Sequence, residues 1–141
     1  MINYLDTSVL VAALTDEVRT RDVQLWLSQQ NPADLAISPW VVAEFSAALS
    51  IKLRSKQIGA QHRAQALAMF AKLSQESLTL LPISATQFHT AARLSDQHAL
   101  GLRAGDALHL AIAMEHGAEL ITLDERLGEA GSTAGVRTRI L

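Results

Sequence analysis

Residues 1–14 read MINYLDTSVLVAAL, and this stretch decides the fold. A short apolar run ends at Asp6, and a second apolar run, Val9–Leu14, begins after two hydroxyl residues. The pattern predicts a buried strand that ends at a carboxylate and turns directly into a helix, capped by Thr7 or Ser8. In an open α/β sheet, ligands bind beyond the carboxyl ends of the strands. Asp6 is therefore expected at the functional edge of a sheet.

The rest of the chain alternates short apolar runs with segments of helical periodicity. Further strands are predicted at residues 35–37, 78–81, 119–122 and 136–140. Helices are predicted at residues 21–29, 40–55, 60–74, 85–98, 105–116 and 125–130. Because alternating strands and helices form parallel sheets covered on both faces, we expect an α/β fold. It should be a single three-layer domain over residues 1–141, with a central parallel sheet of about five strands flanked by helices.

Two of the predicted helices differ in how much of their surface should be buried. The apolar spacing in helix 85–98 predicts a single core-facing side, formed by Phe88, Ala91, Ala92 and Leu94. Helix 105–116 is apolar nearly all round, which predicts a helix buried on every side.

The composition is that of a folded globular protein. The chain has 141 residues, of which 49% are apolar and 18% are charged. It contains no cysteine, which excludes disulfides and thiolate metal sites. Its apolar runs are far shorter than the roughly 18–20 residues that span a bilayer, and its start lacks the features of a signal peptide. We therefore expect a cytoplasmic protein that does not bind membranes.

The charge distribution is uneven although the net charge is only −2 and the pI is about 6.2. That balance argues against strong non-specific binding of nucleic acid. However, residues 45–75 contain no acidic residue and include Lys52, Arg54 and Lys56. This stretch is either the solvated face of two helices or a basic patch that faces a polyanion. Arg103 is either an ordinary exposed cation or a residue that steers phosphate.

Four carboxylates occur in otherwise apolar surroundings, near points where predicted elements begin or end. Asp6 and Asp124 follow two strands, so both should lie at the same edge of a parallel sheet. Asp106 lies in the first turn of the most apolar helix, and Glu44 lies about one turn after Pro39. The helix dipole alone favours an aspartate at a helix start. Carboxylates gathered in a partly desolvated pocket repel one another, however, and a divalent cation offsets that repulsion.

Oxygen ligands without cysteine or histidine suit Mg²⁺ or Mn²⁺, and such sites are well suited to phosphodiester hydrolysis. Ser8 and Thr122 flank the predicted cluster, where they either orient water and carboxylates or simply cap helices. His109 follows Asp106 by three residues on the same helical face. It is either a satisfied core histidine or a residue that touches the site.

Four segments together make the chain resemble a PIN domain, most closely the small toxin ribonucleases of bacterial VapBC-type toxin–antitoxin systems. They lie in the family's order and spacing and extend over essentially the whole chain. The segments are YLDTSVLVAAL at 4–14, VVAEF at 41–45, AGDALHLAIA at 104–113 and LITLDERL at 120–127.

The resemblance implies a PIN-like fold and an acidic metal site, supported by Ser8 and formed by Asp6, Glu44, Asp106 and Asp124. It also implies the toxin role of a type II toxin–antitoxin system, with Mg²⁺- or Mn²⁺-dependent endonucleolytic cleavage of RNA. The expected partners are an RNA substrate, a cognate antitoxin that covers the active groove, and a second copy in a homodimer. The closing motif has Leu123 where many relatives carry a polar residue, so Glu125 is an alternative to Asp124.

Two other classes of function remain as alternatives. The first is another Mg²⁺-dependent α/β phosphoryl-transfer protein. A haloacid-dehalogenase-type phosphatase would need an aspartate at the position of Ser8, and a receiver domain would need a late lysine, whereas the last lysine is Lys72. The second is a catalytically silent binding module on the same fold, which four intact carboxylates disfavour because a silent site has no reason to retain their mutual repulsion.

Overall fold

A five-stranded parallel sheet forms the centre of the structure, a computed structural model that describes residues 1–141. The strands are β1 (Asn3–Leu5), β2 (Leu35–Ile37), β3 (Thr79–Leu80), β4 (Glu119–Thr122) and β5 (Thr138–Ile140). Their order in the sheet is β3-β2-β1-β4-β5, so the first strand of the chain lies in the middle. Tyr4 pairs with Ala36 on one side and with Leu120 on the other.

Seven helices flank this sheet, which confirms the predicted α/β architecture. They are α1 (Thr7–Leu14), α2 (Thr20–Ser28), α3 (Pro39–Arg54), α4 (Ala60–Glu76), α5 (Ala85–Asp96), α6 (Ala104–Glu115) and α7 (Glu125–Thr133). Short 3₁₀ turns occupy Pro32–Asp34 and His98–Leu100. None of the helices combines the length and the apolar character that crossing a membrane requires.

The core is built from the central strands and from the helices that follow them. Residues 107–113 of α6 are all buried, as the sequence predicted for this helix. Phe45 of α3 is fully buried and stacks on Phe70 of α4, with ring centroids 4.3 Å apart. This stacking holds α3 against α4, and the buried face of α6 belongs to the same core.

The buried face of α5 differs from the prediction. Phe88 is 56% exposed and Ala92 is exposed, whereas Gln87 is buried together with Ala91 and Leu94. The Gln87 side chain accepts a hydrogen bond from the backbone amide of Ser84 and thereby completes a capping box. This cap directs Gln87 inward. The buried face of α5 is therefore rotated relative to the prediction, and Phe88 points to solvent.

Two helix boundaries also differ from the prediction. Asp6 itself caps α1, since its Oδ1 accepts from the amide of Val9 at 3.4 Å, whereas Thr7 begins the helix. Helix α7 continues to Thr133, beyond its predicted end at residue 130. A Cβ on Gly131 would lie 2.6 Å from Thr138 and 2.9 Å from Leu110, so the glycine lets α7 pack closely on β5 and on the core.

Candidate active site

The site lies where β1 and β4 end side by side in the sheet. Leu5 pairs with Ile121, and the amide of Asp6 donates to the Ile121 carbonyl at 3.1 Å. Asp6 and Thr122 therefore meet directly, with Thr122 Oγ1 donating to Asp6 Oδ2 at 2.5 Å. The shared edge was predicted from the parallel topology, and the strand register shows it.

Asp6 is held rigidly beneath the surface, with only 4% of its area exposed. Ser8 Oγ donates to its Oδ1 at 2.5 Å and accepts in turn from the amide of Leu123 at 3.0 Å. Burial raises the pKa of Asp6 above its usual range, while the charge of His109 and the bonds from Ser8 and Thr122 act against this. The structure thus places both predicted flanking hydroxyls on the Asp6 carboxylate.

Glu44 reaches the same region from the second turn of α3. Its Oε1 accepts from Thr7 Oγ1 at 2.7 Å and lies 2.5 Å from His109 Nε2. Burial alone would raise the pKa of Glu44, but the hydrogen bond and charge of His109 and the hydrogen bond from Thr7 hold it below its usual value. This carboxylate is therefore kept in its ionised form.

A buried chain of polar groups continues from His109 into the core. His109 Nδ1 lies 2.9 Å from the Tyr4 hydroxyl, which lies 2.8 Å from Ser38 Oγ. Burial raises the pKa of Tyr4 well above its usual range, so the phenol stays neutral. His109 is thus a satisfied core histidine, as one of the two interpretations expected, and it also touches a predicted site residue.

Asp106 lies in the first turn of α6 and lines a cavity of about 580 Å³. No protein group donates a hydrogen bond to its half-buried carboxylate, which sets it apart from Asp6 and Glu44. Burial and the neighbouring charges of Asp124, Glu44 and Asp6 raise the pKa of Asp106, although the charge of His109 opposes them. Polar residues that share this cavity are Trp40, Glu44, Arg103, Asp124 and Arg126.

Asp124 caps helix α7 and borders the cavity at the same time. Its Oδ1 accepts from the amides of Arg126 at 3.0 Å and Leu127 at 3.2 Å, and its own amide donates to Thr122 Oγ1 at 2.9 Å. Glu125, the alternative to Asp124, does not line the cavity. The structure therefore favours Asp124 as the fourth carboxylate.

The site offers oxygen donors to a divalent cation, although it holds no preassembled cage. No three acidic or histidine side chains lie close enough together to form a preassembled metal site. However, Glu44 Oε2, Asp124 Oδ2 and both oxygens of Asp106 have no hydrogen-bond partner in the protein. These are hard oxygen donors of like charge, so the residues fit Mg²⁺ or Mn²⁺ in chemistry and charge.

Gly105 brings the start of α6 close to α3. A Cβ at this position would lie 3.3 Å from the Trp40 ring and 3.4 Å from Glu44 Oε2. The missing side chain therefore allows the turn that carries Asp106 to approach Glu44.

The predicted basic residues are distributed between two places. Lys52 forms an ion pair with Glu17 at 3.0 Å and lines a separate cavity of about 560 Å³. Arg54 lies ten residues after Glu44 on α3, a rise of about 15 Å, and the exposed Lys56 follows the end of that helix. The structure does not bring these three cations to the carboxylates.

Arginines line the carboxylate cavity instead. Arg103 does so, as one interpretation of the sequence expected, and Arg126 joins it from the first turn of α7. Neither arginine lies within 4.0 Å of a carboxylate oxygen, since none of the salt bridges in the structure includes Arg103 or Arg126. Arg126 was not predicted, although its position two residues after Asp124 in the last motif was a usable signal.

The chain is similar to known proteins in structure, at low sequence identity. A search of curated proteins finds no match to the sequence. FitAcB from Neisseria gonorrhoeae is similar in structure, with a TM-score of 0.68 and 19% identity over 97% of this chain and 96% of that chain. VapC20 from Mycobacterium tuberculosis, a sarcin-ricin loop cleaving toxin, has a TM-score of 0.72 and 19% identity over 95% of each chain.

A third similar structure is VapBC-5 from Mycobacterium tuberculosis, a member of the VapBC family of toxin–antitoxin systems. Its TM-score is 0.63, with 20% identity over 99% of this chain and 98% of that chain. At such identities these structures establish the fold alone. The family model of the PIN domain matches residues 4–132, nearly the whole length, and the chain therefore belongs to the PIN domain family.

Proposed function

We propose that this protein is the toxin of a type II toxin–antitoxin system and a Mg²⁺- or Mn²⁺-dependent endoribonuclease. The observation that carries the proposal is the gathering of Asp6, Glu44, Asp106 and Asp124 at one edge of the sheet. Three of them turn unpartnered oxygens toward a common cavity that also contains two free arginines. The names of two similar structures, a cleaving toxin and a toxin–antitoxin system member, support the same assignment.

The residues that would hold the metal are those with free oxygens. Asp106, Glu44 and Asp124 supply them, and coordination would follow from small side-chain rotations rather than from a preassembled cage. When bound, Mg²⁺ or Mn²⁺ supplies an activated water and shields the charge that develops on the phosphate.

The remaining site residues orient these groups and bind the substrate. Asp6, the fourth predicted ligand, accepts hydrogen bonds from Ser8 and Thr122 on both carboxylate oxygens, so its carboxyl group stays at the base of the site. Arg103 and Arg126 are free to bind the phosphates that flank the cleaved bond, because guanidinium groups pair well with phosphate oxygens. RNA is the substrate class that we assign to this cavity.

Two protein partners belong to the proposal. One is a cognate antitoxin that covers the active groove, which the toxin–antitoxin name of a similar structure supports. The other is a second copy of this chain in a homodimer, which follows from the family resemblance. We place the protein in the cytoplasm, because such a toxin meets cellular RNA there.

The proposal is tested by comparing the wild type with D106N in cells and in solution. No contact in the structure depends on the Asp106 carboxylate, so asparagine should preserve the fold and remove one candidate ligand. Expression of the wild type should arrest growth, and the purified protein should cleave RNA with Mn²⁺ but not after chelation. D106N should lose cleavage by about 100-fold or more.

A matched control is D22N, which changes an exposed aspartate of α2 that pairs only with Arg19. D22N should behave like the wild type in both assays. Equal growth and equal RNA cleavage by the wild type and D106N would contradict the proposed function.

A further inference from the structure

We propose that the buried chain Ser38–Tyr4–His109 positions Glu44, holding one of its carboxylate oxygens so that the other faces the cavity. In this role Tyr4 and His109 are positioning residues, since they act through Glu44 and line no part of the cavity. The inference rests on the proposed metal-dependent function and adds residues from the core to the four carboxylates.

The chain is continuous and shielded from water. Ser38 and Tyr4 are wholly buried, and His109 is 3% exposed. Each link is at hydrogen-bond distance, at 2.8 Å from Ser38 to Tyr4, 2.9 Å from Tyr4 to His109 and 2.5 Å from His109 to Glu44. Because water does not compete at these positions, each group keeps the hydrogen-bond partners that the fold gives it.

The hydrogen-bond donors and acceptors of its members give this chain a direction. A carboxylate only accepts, so His109 donates from Nε2. In a neutral imidazole Nδ1 is then the acceptor, and the Tyr4 hydroxyl donates to it. The Tyr4 oxygen in turn accepts from the Ser38 hydroxyl. Whenever His109 is neutral, the arrangement therefore selects one tautomer, with the proton on Nε2.

Ser38 forgoes an ordinary helix cap to take part in the chain. It occupies the N-cap position of α3, where a serine hydroxyl usually accepts from an amide of the first turn. No such bond forms here, since its Oγ is bonded to Tyr4 instead. Ser38 therefore contacts the buried tyrosine and does not stabilise the first turn of α3 through its side chain.

The two carboxylate oxygens of Glu44 differ in their contacts as a result. Oε1 takes both the Thr7 and the His109 bond, so it is fully engaged. Oε2 has no partner and lies against the start of α6, 3.4 Å from the position that a Cβ of Gly105 would occupy. The buried chain thus leaves the free oxygen of Glu44 beside the turn that carries Asp106.

The test measures the His109 tautomer and the affinity for Mn²⁺ alone. Long-range ¹H–¹⁵N NMR on metal-free protein, at a pH high enough for the imidazole to be neutral, should show His109 as a single tautomer protonated at Nε2, assigned by its loss in H109Q. In Y4F the Nδ1 resonance should shift, because the donor to it is gone. In S38A it should stay in place, because Tyr4 still donates to His109.

Mn²⁺ titration supplies the functional readout. H109Q should bind Mn²⁺ about 10–100-fold more weakly than the wild type, and Y4F should weaken it in the same direction by a smaller factor. If H109Q does not fold, T7V replaces it, since T7V removes the other bond to Glu44 Oε1 and leaves the buried histidine in place.

The outcomes separate the two proposals. Wild-type binding of Mn²⁺ that D106N loses, together with unchanged affinity in H109Q, Y4F and T7V, would overturn this inference and leave the proposed function standing. A mixture of His109 tautomers in the wild type would also overturn it. Absence of Mn²⁺ binding by the wild type would overturn both proposals.

Discussion

Replacing Asp106 with asparagine should make the metal-free protein more stable and at the same time abolish its stabilisation by Mn²⁺. Asp106 accepts no hydrogen bond from the protein, so D106N removes a charge without breaking a contact. Burial and the charges of Asp124, Glu44 and Asp6 raise its pKa. The folded protein therefore favours the protonated carboxyl, and the ionised form reduces stability at neutral pH.

Burial of the ionised carboxylate favours D106N and the charge of His109 opposes it. Two further effects of opposite sign set the electrostatic magnitude. Each of the three like charges is worth about 0.3–0.5 kcal/mol after solvent screening, so relief of their repulsion contributes about 1–1.5 kcal/mol. Loss of the favourable interaction with the N-terminus of α6 costs about 0.3 kcal/mol, at the low end because no amide donates to Asp106. The net gain is about 1 kcal/mol, or roughly 3 °C in Tm for a chain of this size.

The pH dependence follows from the raised pKa. Below its unfolded pKa of about 4, Asp106 is protonated in both states, and the wild type and D106N should be equally stable. As the pH rises through the folded pKa, the wild type loses stability and the difference grows to its full value at pH 7. Thermal unfolding between pH 4 and pH 7 without metal measures this, with E129Q as a control for an exposed carboxylate on α7.

With Mn²⁺ bound, the wild type should become more stable than D106N. At a concentration about 100 times its dissociation constant, Mn²⁺ would stabilise the wild type by about 2.7 kcal/mol and D106N hardly at all. A metal-free D106N that is less stable than the wild type at pH 7 would refute the reasoning. It would mean that the favourable interaction of Asp106 with the N-terminus of α6 outweighs its repulsion by the other carboxylates.

Three further predictions concern packing, the approach of α6 and substrate binding. F45A should lose about 3–5 kcal/mol in urea unfolding because it empties a fully buried site, whereas F88A should change stability by less than about 0.5 kcal/mol; similar losses would contradict the observed helix faces. G105A should bind Mn²⁺ more weakly without a lower Tm, because its Cβ crowds the neighbouring tryptophan while helix propensity improves; unchanged affinity in a titration would count against this. R126Q should lower RNA affinity and reduce the salt slope of binding by about 0.7, and R137Q, an exposed control, should leave both unchanged; equal slopes would remove Arg126 from the RNA site.

The carboxylates could be predicted from the sequence because each carries a local signal. Asp6 and Asp124 follow apolar strands, and Asp106 starts an apolar helix, so a parallel topology suffices to bring them to one edge. The central sheet was predictable for the same reason, since alternation of strands and helices is visible along the chain. Glu44 carries a weaker local signal, since it lies about one turn inside α3 among apolar neighbours, and the resemblance to a known family adds to that signal.

The face of α5 could not be predicted in the same way. Apolar spacing assigned Phe88 to the core, but the capping box of Ser84 and Gln87 sets the rotation of the helix. A single phenylalanine remains exposed because the geometry of the first turn is fixed by two hydrogen bonds. Burial patterns near a helix start therefore depend on the cap as much as on the hydrophobic pattern.

The contacts of Glu44 lay beyond sequence reasoning because they join distant parts of the chain. Tyr4 and His109 are 105 residues apart, and Thr7 and Glu44 are 37 apart. Each residue taken alone is explained by an ordinary structural role, as a core tyrosine, a hydrogen-bonded core histidine or the first residue of a helix. Only packing of β1, α3 and α6 against one another turns them into a single support for one carboxylate. Rigid placement of Glu44 is therefore a property of the core, and core substitutions at Tyr4 should alter the site while leaving every cavity-lining residue in place.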